Sequence, residues 1–101
     1  MEELLGKVEF QAHVISGDRE GNLTIYEKGI IYDVGDKNGR VVSPYNYIES
    51  IASGRELPLG KVEANIVTYS LLGERFNLQF AVSEAYFHEL MARWKGRERG
   101  R

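Results

Sequence analysis

Apolar and polar residues alternate along most of this chain, and the beat changes at Ser83. Val8, Phe10, Ala12 and Val14 alternate with Glu9, Gln11 and His13, the period of a strand with one face buried. Ser16-Gly17-Asp18-Arg19-Glu20-Gly21 is turn chemistry. Leu23-Thr24-Ile25-Tyr26 and Ile30-Ile31-Tyr32-Asp33-Val34 read as the next two strands. Glu27-Lys28-Gly29 joins them, and its glycine supplies the positive φ of a tight hairpin. Gly35-Asp36-Lys37-Asn38-Gly39 turns into Arg40-Val41-Val42-Ser43, which Pro44 stops because it has no N–H for a ladder. Tyr45-Asn46-Tyr47 then forms a corner before the short strand Ile48-Glu49-Ser50-Ile51-Ala52.

Residues 55–60 read as a loop containing Leu57-Pro58-Leu59. Val62, Ala64 and Ile66 share one phase, and the apolar phase then switches to Val67, Tyr69 and Leu71. One extra residue in the register produces such a switch, so the pattern predicts a bulge or bend at Ile66 and Val67. Leu72-Gly73-Glu74 leads into Phe76, Leu78, Phe80 and Val82, the cleanest alternation in the chain. After Ser83 the period becomes helical. Tyr86, Phe87, Leu90, Met91 and Trp94 form one apolar stripe. Ser83 caps that helix, Glu84 suits its positive end, and Gly96 stops it.

The predicted architecture is mostly β: about seven antiparallel strands in a partly open barrel, closed by one C-terminal helix. At 101 residues the chain holds a single domain, over residues 1–95, followed by a basic, disordered tail at 96–101. Apolar content of 43% and charged content of 28% are those of a globular domain, not of a disordered one. No apolar run reaches the ~20 residues of a membrane helix, and the acidic start Met1-Glu2-Glu3 does not read as an export signal. The absence of cysteine excludes disulfides, thiol nucleophiles and thiolate metal sites. A cytoplasmic location is the expectation. The shortage of cysteine and glutamine beside many Glu, Lys and Arg points to a heat-adapted source.

Specific stretches resemble pleckstrin-homology-like and GRAM-like domains of the bacterial or archaeal type. They are Gly21-Asn22-Leu23-Thr24-Ile25-Tyr26-Glu27-Lys28-Gly29-Ile30-Ile31-Tyr32, the corner Val41-Val42-Ser43-Pro44-Tyr45-Asn46-Tyr47-Ile48-Glu49-Ser50-Ile51, and the final strand and helix from Phe76 to Trp94. The resemblance spans residues 8–95 and implies binding of lipid headgroups, peptides or partner proteins. Members of that family that bind phosphoinositides carry several Lys and Arg on the first hairpins. Here Arg19 stands between Asp18 and Glu20, and Lys37 beside Asp36, so neither loop is net positive.

No catalytic, cofactor or metal site is expected. His88 follows Glu84 by one helical turn, but two ligands fall short of the three or four of a Zn²⁺ site. Taking Gly39 as the sixth position of a calcium loop puts Val34 first and Tyr45 twelfth, and neither supplies a carboxylate. An enzymatic reading requires a polar pocket from groups such as Asp33, Arg40 and Glu63. The expected function is a non-catalytic interaction module, binding another protein or itself through the barrel edge or a loop surface. The alternative is peripheral attachment to a membrane surface. The candidate surface is Leu57, Pro58 and Leu59, Tyr45 and Tyr47, and the tail residues Arg97, Arg99 and Arg101. Leu57 and Leu59 either insert into a partner or membrane, or fold back as a lid over one barrel mouth. The last nine residues carry a charge of +4 against −6 for the body, a balance that favours no specific nucleic-acid binding.

Overall fold

The computed structural model describes residues 2–34 and 40–99. A short helix α1 (Glu2–Leu5) precedes strands β1 (Val8–Ser16), β2 (Arg19–Tyr26), β3 (Gly29–Asp33) and β4 (Arg40–Pro44). A 3-10 turn, Tyr45–Tyr47, leads into β5 (Ile48–Leu57), and a second, Pro58–Gly60, into β6 (Lys61–Tyr69). Strand β7 (Arg75–Ser83) and helix α2 (Glu84–Arg99) complete the chain. The strands form one antiparallel sheet in the order β4-β3-β2-β1-β7-β6-β5, which does not close.

Alternation along each strand builds the core. Ala12 and Val14, Leu23 and Ile25, Ile30 and Tyr32, Val62, Ala64 and Ile66, and Leu78, Phe80 and Val82 all point inward. β1 pairs with β2 along most of its length but is matched to β7 at Ile15 and Ala81, near its far end. The sheet therefore divides into two halves, β1–β4 and β5–β7, that diverge from that junction. α2 fills the wedge with Phe87 and Leu90, supported by Met91 and Trp94. It is clamped to the start of β1: Tyr86 stacks on Phe10 at 5.2 Å, the Arg93 guanidinium lies 5.3 Å over the same ring, and Arg93 Nη2 reaches Glu9 Oε1 at 2.8 Å. Such an arrangement couples ring burial to a charge pair and a cation–π contact.

A second apolar cluster lies on the other face of β2–β4. Leu5, fully buried, packs on Tyr26 and Ile31 with Val42 beside them. Residues 5–7 strap the β2–β3 turn through Glu27 N to Lys7 O, Lys28 N to Leu5 O and Lys7 N to Glu27 Oε1.

Five local expectations change. The first turn needs only Gly17 and Asp18, with Gly17 at φ 65°, while Gly21 belongs to β2. Gly29 is not a positive-φ hairpin residue but the first residue of β3. It is glycine because a Cβ there would stand 2.5 Å from Ser43 O and 2.7 Å from both Leu5 Cδ2 and Pro44 Cα, closer than packed atoms tolerate. The segment after Ile48 is a ten-residue strand, not a short one, so residues 55–57 are strand and only Pro58–Gly60 turns. β6 has no bulge. It pairs with β7 residue for residue from Lys61 to Tyr69, and Thr68 continues the inward phase while Val67 and Tyr69 face outward. Finally, α2 passes through Gly96 and continues to Arg99, because a single glycine costs a helix only about 1 kcal/mol. The turn expected at residues 35–39 lies outside the described residues.

Candidate functional site

The two edge strands, β4 and β5, are joined by the Tyr45–Tyr47 turn, so this turn sits at the seam where the sheet fails to close. Pro44 disposes the chain for the turn with φ −61° and extended ψ. Tyr45 N donates to Lys28 O, and the Tyr45 hydroxyl donates to Tyr26 O at 3.0 Å. Tyr45 is thereby held with only 2% of its surface exposed. Burial pushes its phenol up to about 12, with the Arg93 charge drawing it down and Glu9 raising it. It remains a neutral hydrogen-bond donor at any ordinary pH.

Behind the turn, the halves are stitched by a polar pair. Ser43 of β4 and Thr68 of β6, both fully buried, share a hydrogen bond between their hydroxyls, and Thr68 Oγ1 donates to Tyr47 O at 3.2 Å.

In front of the turn lies a groove of about 550 Å³, lined by Leu4, Glu27, Lys28, Pro44, Tyr45, Asn46, Tyr47 and Leu71. Its walls come from four separate segments: α1, the β2–β3 turn, the seam turn and the β6–β7 connection. Leu4 and Tyr47 are substantially exposed on it. Leu71 also borders a smaller recess of about 210 Å³ beside Val41, Val42, Leu72 and Phe76. The free edge of β4 thus has an apolar hollow at each end. Such surroundings suit an apolar side chain or an extended segment, with Glu27 and Lys28 the charged groups of the larger hollow and Arg40 and Glu74 those of the smaller.

The sequence-predicted surface is divided. Tyr45 and Tyr47 both line the groove, Tyr45 as its floor and Tyr47 at its side. Leu57, Pro58 and Leu59 lie at the opposite end of β5. Leu59 is 94% exposed with φ 65° and ψ 33°, so it is not a lid over a barrel mouth. Leu57 is half-buried and borders a third hollow of about 290 Å³ with Ile15, Arg55, Glu63 and Gln79. Arg97 and Arg99 fall on the last turn of α2, and Arg101 lies outside the described residues. Leu4, Lys28 and Leu71 join the site without having been singled out by pattern. The signal of the two leucines in the sequence is an apolar pair next to a glycine, Leu4-Leu5-Gly6 and Leu71-Leu72-Gly73.

The two histidines form exposed pairs: His13 Nε2 lies 3.3 Å from Glu20 Oε1, and His88 Nε2 lies 3.6 Å from Glu84 Oε2. No three His, Cys, Asp or Glu side chains gather at one point among the described residues. Asp33 and Arg40 are cross-strand neighbours on β3 and β4, but Glu63 lies on β6, against Arg55 of β5, so these three do not line one pocket. Among the described residues no helix is long and apolar enough to cross a membrane.

These features define an open, seven-stranded antiparallel sheet closed by a C-terminal helix, with an apolar groove at its seam. No family model matches the sequence, and no curated protein matches it. Among solved structures, the chain is similar to the C-terminal domain of an unknown protein from Leishmania infantum. That likeness has a TM-score of 0.57 at 12% identity and covers 87% of this chain and 84% of the other. It bears on the fold alone.

Proposed function

We propose that this chain is a pleckstrin-homology-like, non-catalytic module of the cytoplasm whose seam groove holds an apolar protein segment. The strand order and closing helix support the family reading. The groove between Leu4, Tyr47 and Leu71 carries the functional one, because an apolar hollow beside an unpaired strand edge suits recognition of extended chain. Glu27 and Lys28 stand at its rim, placed to meet the polar backbone or ends of such a segment.

Selection from a displayed library of short peptides tests this reading. Bound peptides are expected to carry one large apolar residue and to lose about tenfold in affinity, equivalent to ~1.4 kcal/mol, against Tyr47→Asp. Failure to select any peptide, or binding indifferent to Tyr47→Asp, overturns it. A membrane-surface reading is favoured by one observation, the nearly complete exposure of Leu59. It predicts co-sedimentation with anionic vesicles at low salt that Leu59→Ser abolishes.

A further inference from the structure

β5 is the free edge of the β5–β7 half, and its charges are disposed about one residue. Glu49 and Arg55 stand three positions either side of Ala52. Both project from the outer face of the sheet. Glu49 accepts from the Tyr69 hydroxyl and lies 3.9 Å from Arg75, while Arg55 Nη2 lies 3.3 Å from Glu63 Oε2. The register shifts of β5 fall at the same two places, between Ile48 and Ser50 and between Ser53 and Glu56.

Bulges and charges on an edge strand ordinarily prevent indiscriminate pairing. Placed symmetrically, they admit one register. In an antiparallel pair about a two-fold axis at Ala52, each bulge meets the other copy's bulge and each Glu49 meets the other copy's Arg55. Every other antiparallel register of the two strands leaves Glu49 facing an uncharged residue or a like charge.

We propose that β5 pairs with β5 of a second copy of this chain in that register. The proposal rests on the reading of the groove as a protein-binding site and names its occupant. Arg75 and Glu49 of one copy then run on into Arg55 and Glu63 of the other, a row of alternating charge that occurs twice by symmetry. The same register sets Leu57 of one copy opposite Tyr47 of the other and brings Leu59 level with Tyr45. Leu59, bare on the turn that follows β5, is thereby carried to the end of the second copy that holds Tyr47 and the apolar groove. Charge complementarity fixes the register, and the leucine supplies apolar burial at each end.

Sedimentation velocity over a concentration series, with Glu49→Arg and Arg55→Glu, tests this. Wild type is expected to dimerise with increasing concentration and to weaken at high salt. Each single variant places like charges at both contacts and should sediment as a monomer. Mixed in equal amounts, the two should restore a dimer, because both contacts then join an arginine of one copy to a glutamate of the other. Leu59→Ser should weaken wild-type association about tenfold. Circular dichroism checks that these exposed substitutions leave the fold intact.

A wild type that stays monomeric, single variants that still dimerise, or a mixture that fails to pair each overturns the proposal. A monomer that still binds peptides in a Tyr47-dependent manner overturns β5 pairing alone; loss of both overturns the groove as well. A monomer that binds anionic vesicles through Leu59 overturns it in favour of a lipid surface.

Discussion

β3 and β6 are both interior strands, yet they are buried in different ways. Gly29, Ile30, Ile31 and Tyr32 of β3 are all buried in succession, whereas β6 buries every second residue from Val62 to Thr68. The difference lies in what covers the outer face. Leu5 and its strap lie over Tyr26, Ile31 and Val42 on the β1–β4 half. The β5–β7 half presents Glu49, Arg55, Glu63, Tyr69 and Arg75 on that face, tied by hydrogen bonds and ion pairs among partly exposed groups. One half is thus a two-layered structural unit, and the other keeps a polar face and a long edge strand. A continuous apolar run signals a strand covered on both sides, and strict alternation signals one with a face left over.

The most direct way to break this contrast is Leu5→Ala. Removing a fully buried leucine leaves a cavity over Tyr26 and Ile31, and it should cost about 3 kcal/mol of stability by chemical denaturation. Asn65→Ala, on the outer face of β6, should change stability by less than ~0.5 kcal/mol. Equal effects at the two sites would show that the strap contributes nothing to the β1–β4 half.

The legible parts of the fold are those where a single strand or helix reports its own surroundings. β1, β7 and the start of α2 follow from alternation and from Ser83-Glu84. The pattern foreshortens β5 because Ala52-Ser53-Gly54-Arg55-Glu56 has no apolar beat, and an edge strand of this kind holds its place by pairing with β6 rather than by burial. The bulge expected in β6 comes from Val67 and Tyr69, apolar residues on an outer face. The true inward residue, Thr68, looks polar until its partner Ser43, 25 positions away, is known. The groove is half legible. Tyrosines at a proline corner draw attention to Tyr45 and Tyr47, but Leu4, Lys28 and Leu71 meet them only through the sheet order.

The second prediction concerns Tyr45, which belongs to the seam between the halves. Its phenol ionises at about 12 in the fold against an ordinary 10.0, so the folded state holds the proton more tightly than the unfolded chain. The stabilisation is therefore fully present below pH 10 and is lost as pH rises through 12. About two units correspond to roughly 2–3 kcal/mol at most. Stability measured by denaturant between pH 9 and 12 should fall more steeply for wild type than for Tyr45→Phe. Parallel profiles would mean that the hydroxyl is not shielded at the seam.

The smallest effect, and the sharpest probe of how the halves are joined, is at Ser43 and Thr68. Each hydroxyl has one proton. Thr68 gives its proton to Tyr47 O, so Ser43 must be the donor to Thr68, with Pro44 O a longer alternative at 3.4 Å. Thr68→Val keeps the shape but leaves Tyr47 O without its donor and the Ser43 hydroxyl with only the longer contact to Pro44 O, a loss of about 1–2 kcal/mol. Ser43→Ala removes a donor whose acceptor still bonds elsewhere, and it should cost less. In the double variant that serine hydroxyl is gone, so the combined loss should fall short of the sum by roughly 0.5–1 kcal/mol. Strict additivity would separate the two hydroxyls energetically and leave apolar packing alone to hold β4 against β6. Coupling would make the polar pair the tie that keeps the Tyr47 side of the groove in place.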